Sequence, residues 1–115
     1  MNSAAHAASA SQRYPLEVLR SIVESLFNAT GMEADKTSRV TEALLTADSM
    51  GHSTHGLALA PWYLEAARSG AMTITGDKTV VNARGGCLTW NGNRLPGAWL
   101  IHQAIDAALG LIDRH

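Results

Sequence analysis

The segment from Gly97 to the last residue, GAWLIHQAIDAALGLIDRH, sets the firmest limit on what this chain can fold into. Ile101, Ala104, Ile105, Ala108 and Ile112 fall at helical spacing, so this helix has an apolar face to bury. Only one short strand pair precedes it. Covering several such side chains, worth ~1.5–3 kcal/mol each when buried, takes a partner surface. A strand–helix order that stops at the helix is half of a βαβ unit. The missing surface comes from another chain or from a longer protein, and the expectation is that this is the front part of a longer one.

Helices dominate the first two-thirds. PLEVLRSIVESLFNAT, from Pro15 to Thr30, has a proline suited to a first helical position and Gly31 suited to the left-handed position after the last turn. Leu16, Leu19, Ile22, Val23, Leu26 and Phe27 mark its expected buried face. A second helix is predicted from about Ala34 to Ser49, with Val40, Leu44 and Ala47 on its apolar stripe and Gly51 as its stop. A third is predicted from Thr54–Gly56 to Ser69, closed by Gly70. Pro61 marks a kink in it or its true first turn. TVVNAR (Thr79 to Arg84) and CLTW (Cys87 to Trp90) read as strands of a hairpin around Gly85-Gly86. The class is therefore α/β, as α+β within this segment: N-terminal helices, a strand pair, then a helix.

Composition excludes several functions. Nine Lys and Arg against ten Asp and Glu leave a net charge of −1, with no basic excess for a phosphate backbone or an anionic membrane. A nucleic-acid partner is not expected, nor a membrane one, since no run approaches the ~20 apolar residues of a membrane helix. The Ala- and Ser-rich start, Met1 to Arg13, lacks the basic and apolar regions of a secretory signal and is expected to be a disordered tail. A cytoplasmic location is expected. The single cysteine, Cys87, excludes an internal disulfide, and its apolar strand setting predicts a buried, inert thiol.

The densest polar stretch is Asp48-Ser49-Met50-Gly51-His52-Ser53-Thr54-His55-Gly56. An imidazole titrates at ~6.5 unperturbed and can give or take a proton near neutral pH. At a helix N-terminus the dipole would disfavour its protonated form, which suits acid–base work. A neighbouring hydroxyl can orient the ring or bind a substrate oxygen, though Thr54 could instead serve as a helix N-cap. Against this stands the plainer possibility of ordinary polar loop residues. His52 and His55 would be the first suspects for zinc, but His-x-x-His lacks the glutamate of HExxH and one carboxylate, Asp48, is not a site, so no metal is expected. Gly85-Gly86 and Asn91-Gly92-Asn93 read as turns, not as a phosphate cradle. Trp62, Trp90 and Trp99 are expected in core or interface packing. His6 and His102 receive no role.

The run ALLTADSMGHSTHGLALAPWYLEAARSGAM, Ala43 to Met72, resembles the N-terminal signature of the malate/L-lactate dehydrogenase-type oxidoreductases, which lie outside the Rossmann class. The matching elements are Ala47-Asp48, Gly51, Thr54-His55-Gly56, Pro61, Tyr63 and Gly70. The order of helices, strand pair and the closing Ala104–Ala108 stretch follows the family too, from about Pro15 to His115. The resemblance implies that residues 14–115 are the N-terminal segment of a larger mixed-sheet oxidoreductase domain. It also implies NAD or NADP as cofactor, a homodimer, and a small 2-hydroxy acid, 2-oxo acid or cyclic imine as substrate. His55 matches the family's acid–base histidine. Thr54, in place of the usual serine, and Gly56 match substrate-binding positions. No residue here is assigned to the cofactor. Leu59 stands where several members carry an arginine suited to gripping a carboxylate, and NGNRLPG (Asn91 to Gly97) is poorer in glycine than the family usually is. By itself the chain is expected to supply only the proton-handling side of a site. The alternative is a truncated, non-catalytic helical module that pairs through its last helix and unfinished sheet.

Overall fold

Two amphipathic helices and a short third one generate the core. In the computed structural model, which describes residues 12–115, α1 runs Leu16–Ala29, α2 Ala34–Ser49 and α3 Ala60–Ser69. The expected tail lies, up to residue 11, outside the described residues. Pro15 sits one position earlier than expected, as the N-cap of α1, its carbonyl accepting from the Val18 and Leu19 N–H groups. At the other end Gly31 takes φ +91°, which lets the chain reverse into α2.

The seam of α1 is narrower than its pattern predicts. Val23 and Phe27 are buried, but Leu16, Ile22 and Leu26 are 44%, 52% and 42% exposed, because α2 and α3 cover only one side of the helix. Val23 and Phe27 meet Met32, Val40 and Leu44 on one side and Ala60, Leu64 and Ala67 of α3 on the other. On α2, Val40 and Leu44 are buried as expected and Ala47 is half-buried.

The third helix starts later than predicted. Two 3₁₀ turns, Ser53–His55 and Leu57–Leu59, precede it, and Pro61 lies in its first turn, where a missing N–H costs nothing. The chain then reaches an antiparallel hairpin, β1 (Thr79–Arg84) and β2 (Cys87–Asn91), with a register irregularity between Val80 and Asn82. This ribbon stands out from the core with almost every residue exposed. Cys87 is accordingly an exposed thiol and not the buried one its apolar neighbours suggest. Alternating apolar residues signal a strand, but a two-stranded sheet needs cover before that signal means burial.

A tight turn carries the chain from β2 into α4, Gly97–Arg114. Asn93 and Arg94 both have positive φ, 54° and 59°. Hydrogen bonds offset that strain: Asn93 Nδ2 donates to the Asp77 carbonyl and Thr79 Oγ1, both at 2.9 Å, and the Arg94 carbonyl accepts from Thr73 N–H. The turn delivers Trp99, buried as expected, against the start of α2. Trp99 Nε1 donates to Asp35 Oδ2 at 2.8 Å. Lys36 Nζ lies 4.2 Å from the indole centroid and 2.9 Å from Glu33 Oε1, with the lysine side chain only 2% exposed. Trp90 is half-buried beside Lys78, whereas Trp62 is 66% exposed and leans on the Tyr63 ring, outside the core. A helix's surface-facing side has no core to join. On the outer side of α4, Ile101, Ile105, Leu109 and Ile112 are all exposed.

The Glu33 carboxyl is held below its ordinary value of 4.5 by the Lys36 ammonium and then by the Gly76 N–H. A depressed carboxylate contributes stability above its unfolded pKa and loses it as pH falls through the folded one. Removing Lys36 takes away the cation over Trp99 and the packing of a buried stem, but leaves Glu33 free to solvate. Lys36→Ala is therefore expected to lower unfolding free energy by roughly 1–3 kcal/mol at neutral pH. It should also flatten the loss of stability between about pH 5 and pH 3. Urea denaturation followed by circular dichroism across that range measures both effects.

Candidate active site

The loop between α2 and α3 is tied to the helix it leaves. Near the end of α2, the Asp48 carbonyl accepts from Gly51 N–H and the Ala47 carbonyl from His52 N–H. The Asp48 side chain then reaches forward, and its Oδ2 accepts the Leu57 N–H at 2.9 Å. A nine-residue span is thereby closed on itself, with a further turn inside it, His55 N–H to the His52 carbonyl at 2.9 Å. Gly56 is the buried point of the closure, and a Cβ there would collide with the Asp48 carboxylate. Its φ of −96° is open to any residue, so close approach, not backbone freedom, requires the glycine.

His52, Thr54 and His55 lie exposed on the outside of this loop. Thr54 caps no helix. Its Oγ1 is 3.0 Å from His55 Nδ1 instead. A hydroxyl both donates and accepts, so this contact serves either tautomer of the imidazole and does not engage Nε2. His55 does not sit at the N-terminus of an α-helix, contrary to the expectation. The α-helix begins only at Ala60, and dipole influence fades beyond the first turn.

His55 borders two cavities. The larger, about 600 Å³, is an open groove between the end of α2, the loop and α4, and its titratable groups are Glu42, His52, His55 and His102. The smaller, about 130 Å³, lies behind His55 against Tyr63, Met72 and Ala98. His102, to which the sequence assigned no role, also lines the groove. It stands forty-seven positions after His55 on another element, and no local motif signals it. Asp48, too isolated for a metal site and an element of the Ala47-Asp48 signature pair, closes the loop through Leu57 N–H.

Ala43, Ala47 and Met50 give the groove an apolar wall, and no lysine or arginine lines it. Among the described residues no group of three or more His, Cys, Asp or Glu is placed to hold a metal ion, and no helix is long and apolar enough to cross a membrane.

The clasp makes a direct prediction. Gly56→Ala must push the Asp48 carboxylate off the Leu57 amide, and a lost charged hydrogen bond is expected to cost about 1.5–3 kcal/mol. Thermal unfolding should show that loss, while Gly86→Ala, at a position with open space and no positive φ, should leave the transition nearly unchanged.

The profile of the malate/L-lactate dehydrogenase family matches residues 14–115. Hydroxycarboxylate dehydrogenase B of Escherichia coli K12 is 28% identical over 103 residues, covering 90% of this chain and 28% of that protein. L-sulfolactate dehydrogenase of Methanothermobacter thermautotrophicus is 26% identical over 88 residues, covering 76% of this chain and 26% of its own length. In three dimensions the chain superposes on a dehydrogenase from Sinorhizobium meliloti with a TM-score of 0.83 at 24% identity, over 89% of this chain and 32% of that one. Malate dehydrogenase from Entamoeba histolytica gives the same TM-score at 15% identity, over 90% and 29%. The chain thus spans under a third of these proteins. With the family profile matching residues 14–115, the chain belongs to the malate/L-lactate dehydrogenase family of oxidoreductases.

Proposed function

We propose that this chain forms the proton-handling part of an NAD- or NADP-dependent dehydrogenase acting on a small 2-hydroxy acid, 2-oxo acid or cyclic imine, with His55 as its general acid–base. The observation that carries this reading is the Thr54 Oγ1 to His55 Nδ1 contact at the edge of the groove. Hydride is supplied or accepted by the nicotinamide when it is bound. In oxidation His55 Nε2 takes the hydroxyl proton while Nδ1–H donates to Thr54. In reduction the imidazolium gives its Nε2 proton back to the substrate, with Nδ1–H donating to the Thr54 hydroxyl oxygen throughout. Thr54 would orient the imidazole, and Gly56, buried against the Asp48 carboxylate, would hold the loop beneath it; neither lines the groove, so their part is to position His55. The relatives named for hydroxycarboxylate and sulfolactate substrates favour an acid, and a homodimer in the cytoplasm is the setting proposed for it.

A second reading draws on the uncovered side of α4. Ile101, Ile105, Leu109 and Ile112 form an exposed stripe that suits a helical pairing module. Such a module binds no nicotinamide, which separates the two readings in a family-length protein carrying this segment.

In that protein His55→Ala is expected to lower turnover ~10²–10⁴-fold, the usual share of general acid–base catalysis. Thr54→Val should cost less, with Thr54→Ser restoring most of the rate. Steady-state assays with NAD and NADP against lactate, malate and sulfolactate check this, and full turnover in a folded His55→Ala variant would remove His55 from the mechanism.

A further inference from the structure

An acid substrate brings a carboxylate that needs a cationic partner, and the groove contains neither lysine nor arginine. Its cationisable groups are three imidazoles from two separate elements: His52 and His55 from the loop, and half-buried His102 from α4. His55 is tied through Nδ1 to Thr54, and the proposed proton chemistry uses its remaining nitrogen. His52 and His102 are left without such a task. The one anionic wall residue, Glu42 of α2, is itself engaged, its Oε2 3.2 Å from Arg39 Nη1. That pairing blunts the repulsion Glu42 would exert on an incoming anion.

We infer that His52 and His102 form the subsite for the carboxylate of a small 2-hydroxy or 2-oxo acid, beside its reacting carbon at His55. The inference rests on the acid–base reading of His55 for its orientation, but its binding chemistry stands on the two outer imidazoles. In the protonated form each ring donates a charge-assisted hydrogen bond to a carboxylate oxygen. Binding then favours the imidazolium forms, so affinity falls as pH rises through the histidine range. Glu42, Arg39, His52, His55 and His102 are the charged and titratable groups concerned, from α2, the loop and α4. A guanidinium in this place would bind equally well across that range. An imidazole pair makes uptake of the acid pH-dependent.

The test uses the 115-residue chain, with sodium L-lactate as probe and the neutral L-lactamide as control, and follows the histidine ring resonances by NMR. Lactate is expected to shift His52 and His102 saturably towards the imidazolium position. His115, at the chain end, should not move, and lactamide should move none of them. Apparent affinity should drop at least ~fivefold between about pH 6 and pH 8. His102→Gln and His52→Gln, both at positions with solvent access, should each weaken binding about tenfold. Shifts of His52 and His102 that persist in His55→Ala would uphold the subsite even if His55 proved to have no part in proton transfer. Unmoved His52 and His102 at high lactate, equal shifts with lactamide, or equal shifts at His115 would each overturn the inference.

Discussion

The Asp48 carboxylate accepting the Leu57 amide is the contact on which the rest of this structure depends. Without it the stretch between α2 and α3 is a polar loop with no reason to hold one shape. With it, the end of α2 is locked to the two 3₁₀ turns that lead into α3, and α3 can bring Ala60, Leu64 and Ala67 onto Val23 and Phe27. The same contact fixes the face on which the two loop histidines emerge. Core and site share one device, and Gly56 is the residue that gives it room.

A second junction positions the other wall of the groove. Lys36, Glu33, Asp35 and Trp99 bind the start of α2 to α4 by an ion pair, an indole hydrogen bond and a cation over an aromatic face. A surface ion pair alone would hold little. Here the ammonium is buried against the ring, so desolvation strengthens the contact with Trp99 while Glu33 keeps it neutralised. Because α4 is pinned at Trp99, His102, three residues further along the same helix, faces the loop histidines across the groove.

Local pattern revealed much of this fold. The 3/4 spacing in α1 and α2, the glycine stops and the Gly85-Gly86 turn gave four helices and a hairpin close to their observed limits. What the pattern overstated was burial. Leu16, Ile22 and Leu26 have helical spacing but no neighbour on their side, and Cys87 has strand spacing on a ribbon that nothing covers. Periodicity reports what a face prefers, and only the packing of other elements decides whether it is satisfied. The site divided in the same way. His55, Thr54 and Gly56 were visible because they are consecutive and match a family signature. His102 was not, since only the crossing of α4 over α2 brings it near. Pro61 left two choices, and the structure has the later one, with the proline in the first turn of α3.

The most direct measurement of this account is amide hydrogen exchange at Leu57 in the 115-residue chain, compared with Asp48→Ala. If the carboxylate closes the loop, the Leu57 amide exchanges as slowly as amides within α3, and Asp48→Ala releases it while the centre of α2 stays protected. If Leu57 exchanges as fast as a free loop amide in the unaltered chain, the loop is not held. The fixed placement of His55 on which the proposed chemistry depends would then be wrong.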